Sequence, residues 1–575
     1  MKERSRPPRT IRTASLQAAV VVVGAGLLLA AVHAAAQSAG FTLVRPTPGG
    51  IDPHPYITSI TDTQSVLIRW FGFQGPYQLQ SKSGLDAATW TNVGDPTNGN
   101  ATIVPKSGVA SFHRISGGLP PYLGDSVCAD CHGAIHTDWS RTAHANAFQT
   151  LKAIGQQANS DCVVCHTVGA SVPSGFINET NTPQFANVQC ENCHGPAGNH
   201  VGSGDPPTLF PIVTRSAMLC GGCHNDFHHP TYDEWSNSPH SAVIEELVGD
   251  FSSTNRATAI SRMSTCGACH SGGVRLAVVG AYNAYTGNAR TNVSWPSGFE
   301  ATNTPITCIV CHDQHATHKY TNVLTGALYT NQLRYPLTST NVFSYNPGTN
   351  FASQYNANVN VCAQCHNARG AAVSSSSRPP HFSPQYNMLL GIIGVTTNST
   401  PPQGAHKNNP RQCAGCHTHR HNEDNPTAEN PTFTGHAFRA HIQACMVCHT
   451  NATGTTSATN LLFTTQSEIS AMIATTKNLL DLWATTKNTN SWASKYEARS
   501  WEYTSPGELS NPSGSPSIVG PDATEQTQIP QAIKDARFNL YLISHDKSLG
   551  IHNAPYTRYL LGVAQQRVND ELARP

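Results

Sequence analysis

Several ordinary ingredients are scarce in this 575-residue chain. Only 12% of residues are charged and 38% hydrophobic, against 45 glycines and 38 prolines, too loop-rich a balance for one large aliphatic core. Methionine is scarcer still, at six. No basic patch is present, which removes nucleic acid from the expected partners. After residue 32 no stretch approaches the ~20 apolar residues that span a bilayer. No cysteine stands outside a motif, so no odd thiol is left over.

What is present is nine copies of Cys-x-x-Cys-His. They are Cys128, Cys131, His132; Cys162, Cys165, His166; Cys190, Cys193, His194; Cys220, Cys223, His224; and Cys266, Cys269, His270. The remaining four are Cys308, Cys311, His312; Cys362, Cys365, His366; Cys413, Cys416, His417; and Cys445, Cys448, His449. Together they consume all 18 cysteines. Two thiols so spaced add to the vinyl groups of a haem, and the next residue is a histidine one helical turn beyond the first cysteine, placed to ligate its iron. A disulfide framework or zinc sites would also use even cysteine counts, but neither requires histidine after the second cysteine nine times over. The expected cofactor is therefore haem c, nine per chain, with iron.

Residues 2–12 carry Lys2, Arg4, Arg6, Arg9 and Arg12, followed by an apolar run from Leu16 to Val32 and then Ala34, Ala35 and Ala36. This reads as a signal peptide, 1–36, cut after Ala36, with no transmembrane span left after cleavage; the alternative is an uncleaved membrane anchor. Haem attachment of this kind follows export, so the expected location is periplasmic or at the cell surface. The chain carries a formal +1, of which the leader contributes +4. The remainder is thus −3, and haem propionates make it more acidic.

Residues 41–118 lack cysteine and alternate short β-favouring runs with Gly, Pro, Asp and Asn, predicting a small β-sandwich. The stretches YQLQSKSGLDAATWTNVG and ASFHRISG resemble immunoglobulin- or fibronectin-like modules of exported proteins. The haem region, 122–455, has motif starts 28 to 54 residues apart, too close for independent globules. Mainly α, loop-rich wrapping is expected there. In 456–575, Ile469, Met472, Ile473, Leu479, Leu480 and Trp483 fit one helical face, and Ile533, Ala536, Leu540 and Ile543 another. These C-terminal helices are expected to pack on the haem region, the alternative being another subunit.

Each iron needs a second axial ligand. Five methionines remain after the leader, whereas 18 histidines lie outside both leader and motifs, so bis-histidine ligation at low potential is expected. An internal echo points to two of them: Trp139-Ser-Arg-Thr-Ala-His144 matches Trp235-Ser-Asn-Ser-Pro-His240. His200, His315, His381, His406, His436 and His552 complete the set of eight. His228, His229, His318, His419, His421, His441 and His545 compete for the ninth place, while His54 and His113 are expected to bind nothing.

The segments CHGAIHTDWSRTAHANAF, VQCENCHGPAGNH and CGGCHNDFHHPTYDEWSNSPH resemble the tetrahaem electron-transfer cytochromes of ammonia oxidisers. DKSLGIHNAPYTRYLL is similar to the helical C-terminus of pentahaem nitrite reductases and octahaem hydroxylamine oxidoreductases. The resemblance implies haems in stacked pairs forming one electron path, and supports His144, His200, His240 and His552 as ligands. It also implies redox partners on both sides, electron donor and acceptor, and is compatible with a homo-oligomer. The expected role is electron transfer in respiratory or extracellular transport. The alternative is an oxidoreductase of small nitrogen or sulfur compounds (nitrite, hydroxylamine or tetrathionate type) with one open haem. The nitrite reductases mark that haem with lysine in place of the motif histidine, a signature lacking here. Hydroxylamine oxidoreductases instead use a C-terminal tyrosine, for which Tyr541, Tyr556 and Tyr559 are available, although core packing is the plainer role for each. A third class is a filament-forming cytochrome assembled through the β-module.

Overall fold

A computed structural model describes residues 46–47, 50–51, 54–62, 65–71, 76–84, 86–99, 101–105, 112–117, 120–170, 172–202, 215–243, 245–280, 293–297, 302–321, 328–334 and 361–575. The expected leader lies outside them. The chain divides into two compact units, one of residues 1–127 with 157–213, the other of 128–156 with 214–575.

In the first unit, two three-stranded antiparallel sheets form. One has the order Tyr56–Asp62, Val66–Phe71, Ala101–Val104, the other Thr91–Asn92, Gln78–Lys82, Phe112–Ser116. Alternation turns Ile68, Trp70, Tyr77, Leu79 and Ile115 into one shared core, as a two-layer sandwich requires. Thr91–Asn92 is too short and polar for a sequence pattern to find. Elsewhere in this unit, Glu191, inside the third motif, is buried and its carboxylate accepts N–H bonds from Leu123, Gly124 and Ala197 at 2.8–3.1 Å. Asn192 beside it donates to the Thr167 carbonyl and accepts from the Gln189 N–H. The two residues between these cysteines thus tie the motif to the chain on either side.

The second unit is mostly short helices joined by loops, with one antiparallel strand pair, His318–Thr321 with Leu328–Asn331, and is closed by three longer helices: Thr455–Thr486, Gln531–Asp546 and Ala554–Leu572. Ile469, Leu480, Trp483, Ile533, Leu540, Tyr541, Ile543 and Leu560 are buried together there with Ala368, Met388 and Ile393 of the haem region. These helices thus share one buried core with Ala368, Met388 and Ile393. The sequence pattern anticipates two helices, and the third arises because a sharp turn divides the end of the chain. Lys547 and Leu549 adopt φ of 59° and 50°, and Gly550 of 88°. Glycine at 550 is also required by space, since a Cβ there would stand 2.7 Å from Ile469 Cγ1. A smaller core of Phe251, Ala259, Met263, Val274 and Val278 brackets the fifth motif.

Among the described residues no helix is long and apolar enough to cross a membrane.

Candidate haem-binding sites

The motifs adopt the local form their spacing predicts. The histidine N–H donates back to the carbonyl of the first cysteine at His224, His312, His366 and His449, at 2.8–2.9 Å. One helical turn therefore sets the imidazole on the side of the two sulfurs. None of the 18 cysteines forms a disulfide.

Six motif histidines each face a histidine from outside any motif. The pairs are His224 with His144, His366 with His240, His270 with His381, His312 with His436, His449 with His406, and His417 with His552. Ring centres lie 5.9–6.2 Å apart in all six. A metal–imidazole bond of about 2.0 Å on each side, plus about 1.1 Å from nitrogen to ring centre, gives roughly 6.2 Å. Each pair of imidazoles would accept one iron at that spacing.

Second partners fix the rings. The Nδ1 atoms of His381 and His436 lie 3.1 Å from the hydroxyls of Ser383 and Thr434. His406 Nδ1 meets the Ile551 carbonyl at 2.6 Å, His417 Nδ1 the Phe438 carbonyl at 2.9 Å, and His552 Nδ1 the Asp546 carboxylate at 2.7 Å. A ring held through Nδ1 offers Nε2 as its lone-pair nitrogen, the usual arrangement of a metal-bound histidine. Burial pushes His224, His240, His312 and His381 down to about 4, and holds His270, His366, His417 and His436 below the ordinary value as well. Burial thus favours their neutral form, the form that binds metal. At His552 burial acts the same way, but Asp546 outweighs it and raises the pKa.

The elements that place these rings follow from sequence. The two echo segments fold alike: Trp139 and Trp235 are both buried, and His144 and His240 each sit in a 3-10 turn just after. Trp235 Nε1 donates to the Ile306 carbonyl, and Ser238 caps the turn by accepting the His240 N–H. His552 lies in the turn between the last two helices, where Asp546 closes one and Asn553 caps the next. Glu234 accepts the Thr434 N–H and hydroxyl and the His436 N–H, pinning the loop that carries His436. Asp546, Ser383, Thr434 and Glu234 bear no motif, so only their neighbours in space reveal them.

His200 lies in the helix Gly198–Gly202, and the His315 N–H donates to the Asp313 side chain. Of the competitors, His421 and His441 face each other at 6.3 Å rather than a motif histidine. His545 is buried between the Glu508 carboxylate and the Pro380 carbonyl. The side chain of His318 lies outside the described residues. Tyr541 and Tyr556 are core residues, donating to Glu502 and to the Ile393 carbonyl, and Tyr559 bonds Thr397.

Neighbouring motifs touch. The sulfurs of Cys220 and Cys308, of Cys269 and Cys365, and of Cys362 and Cys413 are within hydrogen-bond reach. Cys311 lies close enough to Cys362, and Cys416 to Cys445 and Cys448, for their charges to interact. The fourth motif thus lies beside the sixth, and the seventh beside both the fifth and the eighth.

Thiol pairs, one-turn histidines and ring pairs at an iron's width would fit covalently bound haem, and in these features the chain resembles multihaem c-type cytochromes. Comparison with known proteins agrees: the family described as cytochrome c554 and c-prime matches residues 127–195 and 219–313. Cytochrome c-554 of Nitrosomonas europaea is 34% identical over 97 residues, covering 14% of this chain and 41% of that protein. The chain thus spans about two-fifths of the length of that relative. The crystal structure of the outer cell wall cytochrome OcwA aligns with a TM-score of 0.48 at 18% identity, covering 78% of this chain and 99% of that one.

Proposed function

We propose that this protein carries electrons along nine haems c, one at each motif, in respiratory or extracellular electron transport outside the cytoplasm. The observation that carries the reading is the set of six histidine pairs at 5.9–6.2 Å. An iron with imidazole on both faces has no position for substrate and exchanges electrons with little rearrangement. In this reading the motif histidines are proximal ligands and His144, His240, His381, His406, His436 and His552 distal ones. His200 and His315 are proposed as further distal ligands. The sulfur proximities of the fourth with the sixth motif, and of the seventh with the fifth and eighth, support electron exchange among those haems. Its chemistry needs a donor and an acceptor, both redox proteins, at the two ends. The charged, apolar, alanine-ended leader supports export.

Intact mass of the holoprotein and electron paramagnetic resonance of its oxidised form test this together. Nine haem masses and low-spin ferric signals are expected. A high-spin signal worth one haem per chain would instead favour the oxidoreductase reading, with substrate bound at the open iron.

A further inference from the structure

The fifth and seventh motifs meet closely. Cys269 Sγ lies 3.9 Å from the Gln364 carbonyl, and Cys365 Sγ 3.9 Å from the Ala268 carbonyl. Two arginines converge on this contact. Arg369, three residues beyond the seventh motif, places Nη1 2.5 Å from Cys269 Sγ of the fifth. Its charge also reaches His270 and His381, which face each other, and His366. Among the described residues Arg369 pairs with no carboxylate. Arg275, on the helix Gly272–Gly280 that follows the fifth motif, is only 3% exposed, and its charge acts on Cys269, Cys311 and Cys365. The neighbouring eighth site carries the opposite sign, since Asp546 sits 2.7 Å from His552.

We infer that Arg275 and Arg369 set the haems of the fifth and seventh motifs at higher potential than that of the eighth, making the branch point of the path the place where electrons collect. The inference rests on the proposal that haem is bound at these motifs. Reducing a ferric haem adds one electron to it, and a fixed positive charge at low dielectric favours that added electron. A carboxylate bonded to a ligand histidine does the reverse, by making the imidazole a stronger donor. Guanidinium groups remain charged at any working pH and match carboxylates in pairs, so a haem propionate is the counter-ion that Arg369 would take. They act through the haem surroundings and are positioning residues.

Potentiometric titration of the holoprotein, followed by its visible absorption, tests this with Arg369→Gln, Arg369→Lys and Arg275→Gln. Arg369→Gln is expected to move the steps of two haems to lower potential while the low-spin spectrum persists. Arg369→Lys, which keeps the charge, is expected to retain most of the wild-type curve. Arg275→Gln is expected to lower the same two steps, and Arg369 carries the test where that buried substitution does not fold. A full complement of haem by intact mass with superimposable curves for wild type and Arg369→Gln overturns this inference alone. So does an Arg369→Lys shift as large as that of Arg369→Gln. Absence of haem at the fifth and seventh motifs of the wild type overturns the haem assignment as well.

Discussion

The hydrogen bond between Asp546 and His552 offers a sharp handle on one site. The carboxylate is 3% exposed and its Oδ1 lies 2.7 Å from His552 Nδ1, while Ser548 donates to its other oxygen. A charge-assisted bond contributes about 1.5–3 kcal/mol and a neutral one about 0.5–1.5, so Asp546→Asn weakens the interaction by about 1 kcal/mol while keeping an acceptor in place. The effect falls on the oxidised iron, which the anionic partner stabilises through the more basic imidazole. For a one-electron couple, where tenfold is 59 mV, that loss raises the potential of one haem by roughly 40 mV. In a potentiometric titration one step should move up by that amount with the low-spin spectrum unchanged. A step that stays in place, or moves down, would refute the assignment of His552 as a ligand held by Asp546.

Three further outcomes are expected. His144→Ala and His240→Ala should each convert one haem from low to high spin, and an unchanged paramagnetic resonance spectrum counts against that ligand. Glu502 is fully buried, and burial raises its pKa to about 7 although the Tyr541 hydroxyl, 2.5 Å away, and the Tyr503 N–H act to lower it. Its folded state therefore binds the proton more tightly than the unfolded state, whose pKa is near 4.5. The associated stability, roughly 3 kcal/mol, is present below about pH 4.5 and lost as pH rises to 7. Glu502→Gln should flatten that part of the melting-temperature profile, and parallel profiles for both proteins would rule the effect out. Glu191→Ala removes the acceptor of two buried N–H groups and one half-buried one and should cost about 3 kcal/mol in chemical denaturation, with a loss under about 1 kcal/mol contradicting its anchoring role.

Reading the fold from sequence works where periodicity is strong. Five strands of the sandwich and the helical faces of Ile469–Trp483 and Ile533–Ile543 are legible because burial on one side repeats every two or every 3.6 residues. The split after Asp546 is not legible, because it depends on left-handed backbone at Lys547 and Leu549, residue types that rarely adopt it. Glu191 is equally silent in one dimension: a carboxylate between two cysteines reads as surface until three N–H groups close on it.

The sequence by itself determined the chemistry. Cysteines and histidines spaced within one helical turn form a site from local geometry alone, whatever the rest of the chain does. It also supplied the surplus histidines, with the echo around His144 and His240 marking two by repetition. Tertiary structure decided which ring faces which: His552 meets His417 from 135 positions away, and His436 meets His312 across a comparable gap. It likewise placed Asp546, Arg275 and Arg369, whose charges act through space. Such pairings are set by how loops close around one another, and loop closure leaves no period or fixed spacing in the order of residues.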